Sequence, residues 1–224
     1  SLAGISASVD ATTGQITATR SGVVTLVAQS AGDTNYNPAI TSTLITIGRS
    51  TPGLSLSSTT AATTMNVGGT LSITSTSIPP VPGGTVASVG SVSFSVAGIG
   101  AGSATIDPVS GLLTAITSGQ VLVSGIQGPD VNYYQSTPGS LTITIGAGLQ
   151  TITFSAVSYS LLVEQASTIT ATNNVSGGGT ITYSVSSVGS GSATLNVNTG
   201  QLTATGAGTV TLTAQAASNS NYTA

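Results

Sequence analysis

The chain has 224 residues and a formal net charge of -3, with two Lys or Arg, five Asp or Glu, and no His or Cys. These counts exclude a hydrolytic triad built on histidine, a Cys and His zinc site and any disulfide, so we expect no enzyme activity. Two arginines, Arg20 and Arg49, are too few cations to neutralise a nucleic-acid backbone, so we expect no nucleic-acid partner. We also expect no membrane insertion, because Ser, Thr or Gly interrupts every apolar stretch well short of the roughly 18 to 20 residues that a spanning helix needs.

One sequence unit occurs three times. Each occurrence has a turn that begins with Asp or Asn and ends with Gly14, Gly111 or Gly200, and a tyrosine follows each of these glycines after 22 residues. The first two glycines are 97 residues apart and the last two are 89 apart, which is the length of a domain and not of a solenoid turn. We therefore predict three copies: the C-terminal half of a domain at 1–48 (the first copy), a complete domain at 49–147 (the middle copy) and a domain without its last strand at 148–224 (the third copy).

Apolar residues alternate with Thr and Ser along each copy, which predicts half-buried antiparallel strands and no helix. In the middle copy the predicted strands are 53–57, 62–66, 69–75, 90–97, 103–106, 111–117, 119–127 and 139–146. One strand occurs in all three copies, and its predicted inward residues are Val24, Leu26 and Ala28, then Val121, Val123 and Gly125, then Val210, Leu212 and Ala214. About seven short strands in 90 to 100 residues is typical of an immunoglobulin-like fold. The predicted fold class is all-β, with tandem immunoglobulin-like β-sandwich domains.

The middle copy is longer than the third because of one insertion. Leu71 and Phe94 are 23 residues apart, whereas the equivalent Ile169 and Tyr183 are 14 apart. The insertion includes the proline-rich residues 79–84, which no sheet interior would accept. Because the first copy has only its last four strands or so and the third lacks its last, a lone half-sandwich would expose its core face. We expect a longer parent chain or a partner that supplies the missing strands.

Several segments resemble the bacterial immunoglobulin-like repeats of large surface proteins and adhesins. The resemblance covers nearly the whole chain and is carried by residues 150–154, 180–185, 199–204, 206–211 and 219–222. It implies an extracellular protein of the cell surface in which such repeats act as stalks and spacers, with neighbouring repeats of the same chain as partners. The nearly uncharged surface and the proline-rich insertion depart from the family pattern.

The turns that begin with Asp or Asn have two interpretations. In the structural one, the side chain at the start of the turn accepts hydrogen bonds from backbone amides two or three residues later, and glycine takes a positive φ. Asn196 replaces aspartate in the third copy, which favours this interpretation. In the other, loops at one end of the sandwich bring two carboxylates together as a calcium site. The candidate calcium ligands are Asp10 with Asp33 and Asp107 with Asp130, with Asn35 or Asn132 and carbonyls beside them; the third copy offers Asn196 and Asn219.

A tyrosine follows an asparagine at the same place in each copy, as Tyr36, Tyr133 and Tyr222. One interpretation is that the ring closes the end of its own sandwich, with its hydroxyl at water or a backbone group. The other is that the ring also packs on the preceding copy and sets the angle between domains. Both interpretations are structural.

Exposed strand positions carry Ser and Thr, so little charge opposes side-by-side association. Our first hypothesis is a structural or adhesive stalk or fibre at the bacterial cell surface. The second is a subunit of a polymeric surface filament or layer of identical chains, completed by strand exchange. The third is a carbohydrate-binding module of a secreted enzyme with surface glycans as partners, which the absence of Trp disfavours. Apart from calcium, we expect no cofactor.

Overall fold

A computed structural model of the protein describes residues 7–81 and 90–224, and these form strands joined by turns, without a helix. The all-β prediction is confirmed. In particular, no described segment is a helix with the length and hydropathy needed to cross a membrane. The predicted proline-rich insertion at 79–84 lies outside the described residues from position 82 onward.

The first copy contributes two antiparallel hairpins. Strands β1 (Ala7–Val9) and β2 (Ile16–Ala18) form one, and β3 (Gly22–Ser30) and β4 (Ala39–Ile47) form the other. The long hairpin has Gly22 opposite Ile47 at one end and Ser30 opposite Ala39 at the other.

The middle copy has two facing four-stranded sheets. Its strands are β5 (Gly53–Ser58), β6 (Thr64–Asn66), β7 (Thr70–Ile78), β8 (Val92–Ile99), β9 (Ser103–Ile106), β10 (Leu112–Thr117), β11 (Gly119–Gln127) and β12 (Gly139–Gly146). One sheet has the order β5-β7-β10-β9 and the other has β6-β12-β11-β8, with β6 parallel to β12. This is the strand order of an immunoglobulin-like sandwich in which the first strand is split between the two sheets. The eight strands correspond to the eight predicted segments, but the sequence did not assign β5 and β6 to different sheets.

The core of the middle copy lies between these two sheets. Its buried members come from β5, β7, β8, β10, β11 and β12: Leu54, Leu56, Leu71, Ile73, Phe94, Leu113, Ala115, Val121, Val123, Ile143 and Ile145. They occupy alternate positions because successive side chains of a strand point to opposite faces. Gly125 also faces inward, and a Cβ there would lie 2.9 Å from Leu56 Cδ2.

The third copy repeats much of this arrangement in smaller sheets. Its strands are β13 (Gly148–Leu149), β14 (Ile152–Phe154), β15 (Ala166–Thr168), β16 (Ala171–Asn173), β17 (Ile181–Val188), β18 (Ser192–Leu195), β19 (Gln201–Gly206), β20 (Thr209–Ala216) and β21 (Tyr222–Thr223). The pairings are β14 with β16, β15-β19-β18, β17 with β20, and a parallel bridge of β13 with β21. A conformational break at residues 169–170 separates β15 from β16, which together occupy the place of β7.

The predicted inward positions are buried to different extents in the three copies. Val121 and Val123 are completely buried, whereas Val24 and Leu26 of the first copy are only half-buried. The prediction that Ala28 faces a core is wrong, because Ala28 is exposed at the end of a hairpin that forms a two-stranded sheet of its own within the described residues. The alternation is set by the sequence, but burial needs a facing sheet.

Candidate functional site at the junctions between copies

Each copy has a loop that leads to its Asn-Tyr pair: residues 33–36, 130–133 and 219–222 (the Asn-Tyr loops). In the middle copy, Asp130 Oδ1 accepts hydrogen bonds from the backbone N–H groups of Asn132 at 2.7 Å and Tyr133 at 2.8 Å. Asp33 does the same in the first copy at 2.7 and 2.8 Å, and Asn219 in the third at 2.9 Å for both bonds. In each of the three loops, one side-chain oxygen therefore holds the backbone in the same turn.

The Gly-ended turns use the same device. Asp107 Oδ1 accepts hydrogen bonds from the N–H groups of Val109 at 3.0 Å and Ser110 at 2.7 Å, and Asp10 and Asn196 have equivalent bonds. The bond from the Ser110 amide, followed by that from Val109, lowers the pKa of Asp107 below its ordinary value. The amides of Thr13 and then Thr12 lower the pKa of Asp10 likewise. The predicted capping role of these side chains is confirmed.

The calcium candidates Asp10, Asp33, Asp107 and Asp130 each direct Oδ1 to two amides of their own loop. Within residues 7–81 and 90–224, no group of three or more His, Cys, Asp or Glu side chains is placed to hold a metal ion. Calcium binding therefore stays a prediction from the sequence.

A pair of hydrogen bonds joins the first copy to the middle copy. Ser21, in the turn between β2 and β3, donates its backbone N–H to Asn132 Oδ1 at 3.0 Å. Its hydroxyl donates to the Val131 carbonyl oxygen at 2.5 Å. We name this pair of bonds the Ser–Asn bridge. Its two bonds join residues that are 111 and 110 positions apart in sequence, and they connect a hairpin turn to an Asn-Tyr loop.

The same bridge joins the middle copy to the third. Ser118, in the turn between β10 and β11, donates its N–H to Asn221 Oδ1 at 2.9 Å and its hydroxyl to the Ser220 carbonyl oxygen at 2.6 Å. Donors, acceptors and loop positions correspond to those of the first junction. The same pair of hydrogen bonds therefore joins the copies at both junctions, although the linkers between the copies differ in sequence.

Each bridging asparagine is also attached to its linker through its own backbone. The Asn132 carbonyl accepts a hydrogen bond from Ser50 N–H at 3.3 Å, and the Asn221 carbonyl accepts one from Gly148 N–H at 2.8 Å. Asn132 is buried, with 9% of its surface exposed. One residue thus binds the preceding copy with its side chain and the connecting segment with its main chain.

Glycine next to the serine gives the hairpin turn its shape. Gly119 has a φ of 133°, and Gly22 at the same place in the first copy has a φ of 150°. A Cβ on Gly119 would lie 2.4 Å from the Gly102 nitrogen, so no other residue fits there. The tight turn leaves the N–H and hydroxyl of Ser118 at the end of the sandwich, where Asn221 meets them.

The three recurring tyrosines have unequal surroundings. Tyr36 is 76% exposed, whereas Tyr133 and Tyr222 are half-buried. Tyr133 lines a groove together with residues of the first copy, and a Cβ on Gly148 would lie 3.3 Å from the Tyr222 ring. That these rings set the angle between copies stays a prediction.

Ser21, Ser118 and Asn221 were not selected as site residues from the sequence, and Asn132 was named only as a possible calcium ligand. The signal was present: an asparagine precedes each tyrosine, and a serine precedes the turn glycine in the first two copies. Sequence reasoning favoured the tyrosine because it is large and rare in this chain. The bridge depends instead on a small amide that meets a turn of another copy.

Arg49 reinforces the first junction from the linker. Its Nη2 donates to the Tyr133 carbonyl oxygen, and its guanidinium carbon lies 4.5 Å from the centre of the Tyr134 ring. Such a stacked cation is attracted by the negative face of the ring. The equivalent linker position after the middle copy is Ala147, so this contact belongs to one junction and the Ser–Asn bridge to both.

No model of a protein family matches the chain, and no curated protein matches it. Among solved structures, the chain is similar to FdeC, an Escherichia coli adhesin, at 14% sequence identity and a TM-score of 0.32. The match covers 91% of this chain and 83% of that one.

Proposed function

We propose that the protein is a non-catalytic spacer of the bacterial cell surface, in which tandem immunoglobulin-like copies form a stalk or fibre. The Ser–Asn bridge carries this proposal, because it occurs with the same atoms at both junctions. A protein that only needed three independent domains would not need the same contact twice. A protein that must hold a binding end at a distance does need junctions that resist bending.

The chemistry of the bridge suits that role. All its donors and acceptors are neutral, so neither salt nor mid-range pH weakens them. Each such hydrogen bond contributes about 0.5–1.5 kcal/mol net, so the bonds of one junction outweigh thermal bending without making the junction permanent. The Ser and Thr exteriors of the strands also suit a crowded surface, where long-range charge repulsion is not required.

The test removes the bridging side chains from both junctions. In the variant Asn132→Ala with Asn221→Ala, the acceptors for the Ser21 and Ser118 amides disappear, so we expect a wider range of end-to-end distances. Small-angle scattering of the whole chain would record it as a broader pair-distance distribution. Circular dichroism should show that the strands remain.

Asn198→Ala is the matched control, because Asn198 is exposed in a turn of the third copy and its backbone N–H, not its side chain, is bonded to Asn196. This control should scatter like the unaltered chain. The spacer proposal fails if the double variant and the control have the same distance distribution.

A second candidate is a subunit of a filament completed by strand exchange. It is favoured by a cavity of about 670 Å³ in the third copy, with Leu202, Val210 and Leu212 in its lining. In the middle copy Ile143 and Ile145 of β12 fill the equivalent side of the core. Within the described residues β20 pairs with β17 alone, whereas β11 has a partner on both edges.

Sedimentation at increasing protein concentration tests the filament candidate. Strand exchange predicts species that grow in discrete steps of one chain mass and that gain β-structure as they form. A single species of 21.5 kDa at every concentration would eliminate it.

A further inference from the structure

A groove of about 550 Å³ lies where the first and middle copies meet. It is within the size range of small-molecule sites in proteins. Its walls come from β2 and the turn that follows it, from the end of β4 and the linker, and from residues 79–81 and the Asn-Tyr loop of the middle copy. Its polar and aromatic lining includes Thr17, Arg20, Ser21, Asn132 and Tyr133.

Arg20 is the unusual member of this lining. Within residues 7–81 and 90–224 it makes no hydrogen bond and no ion pair, although only two residues of the whole chain are cationic. The hairpin does not require an arginine there, because the equivalent residue is Thr117 in the middle copy and Gly206 in the third. Arg20 is exposed, and an arginine without a structural task in a groove of a chain with only two cationic residues points to a ligand.

The acid of this Asn-Tyr loop and the second arginine of the chain have contacts of their own. Asp130 Oδ1 is directed at the amides of Asn132 and Tyr133 inside its own loop. Arg49, the other cation, is stacked on Tyr134 and donates to the Tyr133 carbonyl, so it does not line the groove. Arg20 therefore supplies the charge that a ligand in the groove would meet.

We propose that this groove binds an acidic saccharide, with the sugar carboxylate on the Arg20 guanidinium. The planar fork of arginine matches a carboxylate in a bidentate arrangement. The Thr17 hydroxyl and the Asn132 amide are donors and acceptors of the kind that sugar hydroxyls use, and Tyr133 adds an aromatic residue with a polar tip. A neutral sugar would leave the arginine unused, and a nucleic acid would need many more cations.

The inference deepens the proposed surface role and rests on it only for the setting in which the ligand is met. A stalk with a saccharide groove at one junction would hold its neighbours or its own envelope at a defined level. The second junction shares the Ser–Asn bridge but has Thr117 in place of the arginine, so it provides an internal comparison.

The test titrates the whole chain with two acidic trisaccharides, 3′-sialyllactose and trigalacturonate, followed by amide chemical shifts in NMR spectra. Lactose and sodium sulfate are the neutral and the simple-anion probes. We expect saturable shifts at residues 17–21 and 132–133 with at least one acidic trisaccharide, and the one that binds identifies the sugar acid. Lactose and sulfate should bind at least about tenfold more weakly.

Two variants test whether binding depends on Arg20 itself or only on the number of positive charges. Each introduces the residue found at the equivalent position of another copy. Arg20→Thr introduces the residue of the middle copy and should weaken binding by about tenfold or more, because it removes a charged hydrogen-bond donor. Arg49→Ala introduces the residue of the second linker, removes the same charge outside the groove and should weaken binding less. An equal loss in both variants would show that binding has no special dependence on Arg20, and would overturn the proposal.

The proposal is also overturned if neither trisaccharide binds saturably, if Arg20→Thr binds as well as the unaltered chain, or if sulfate or lactose binds as tightly as the acidic saccharide. These outcomes are independent of the scattering test above. A chain with stiff junctions and no saccharide binding would leave the spacer role standing.

Discussion

An Asp or Asn side chain begins six turns of the described chain, and in each its Oδ1 accepts hydrogen bonds from two backbone amides. The six residues are Asp10, Asp33, Asp107, Asp130, Asn196 and Asn219. The two residue types are equivalent here because each offers a side-chain oxygen at the same distance from the backbone. They differ in that the aspartate titrates and the asparagine does not.

The variant Asp107→Asn should keep the two hydrogen bonds that cap the turn and remove the negative charge of the side chain. The amides of Ser110 and Val109 lower the pKa of Asp107 in the folded chain. The stability that this carboxylate contributes is therefore present above its unfolded pKa of about 3.9 and is lost as the pH falls through the lower folded value. The variant keeps the cap, as Asn196 does in the third copy.

Thermal unfolding of both proteins between about pH 7 and about pH 2 measures this difference. We expect the melting temperature of the unaltered chain to fall relative to that of Asp107→Asn at acid pH. Asp107→Ala, which removes the cap, should melt lower at every pH. Parallel profiles for the unaltered chain and Asp107→Asn would contradict the charge contribution.

Strand β10 shows how the elements of the sandwich divide their residues between core and solvent. Leu113 is fully buried between the sheets, whereas its neighbour Leu112 is 44% exposed on the other face. The period of two predicted the strands of the middle copy to within three residues at each end. It did not predict that β5 and β6 join different sheets, because that assignment depends on which sheet edge is open to each strand.

The two adjacent leucines form a matched pair of substitutions. Leu113→Ala leaves a cavity between the packed sheets and should lower the free energy of unfolding by about 2–5 kcal/mol. Leu112→Ala removes the same atoms from a partly exposed position and should cost less than about 1 kcal/mol. Urea unfolding followed by circular dichroism measures both. Similar losses in the two variants would mean that the sheets of the middle copy do not enclose a core.

At the scale of the whole molecule, few charges act between the copies. The chain has a net charge of -3, and the bridge at each junction joins neutral groups. Salt screens interactions between charges, so it should have little effect on the neutral hydrogen bonds that join the copies. The arrangement of the copies should then depend on the bridging residues and not on ionic strength.

Scattering at low and high sodium chloride checks this expectation on the unaltered chain. The radius of gyration should change by less than about 5% between about 0.05 and about 0.5 M salt, a range over which the screening length falls severalfold. A chain that contracts or extends steadily with salt would show that charge, and not the Ser–Asn bridge, controls its shape.

The amino-acid sequence by itself determined the all-β class, the strand positions, the inward residues of the middle copy and the capped turns. Each of these follows from local periodicity and turn chemistry, which are properties of neighbouring residues, and the repeat shows the same pattern three times. Only the tertiary structure decided which residues join the copies, because Ser21 and Asn132 are 111 positions apart and meet only where a hairpin turn of the first copy contacts the Asn-Tyr loop of the middle copy. The same is true of the Arg20 groove, whose walls belong to different copies.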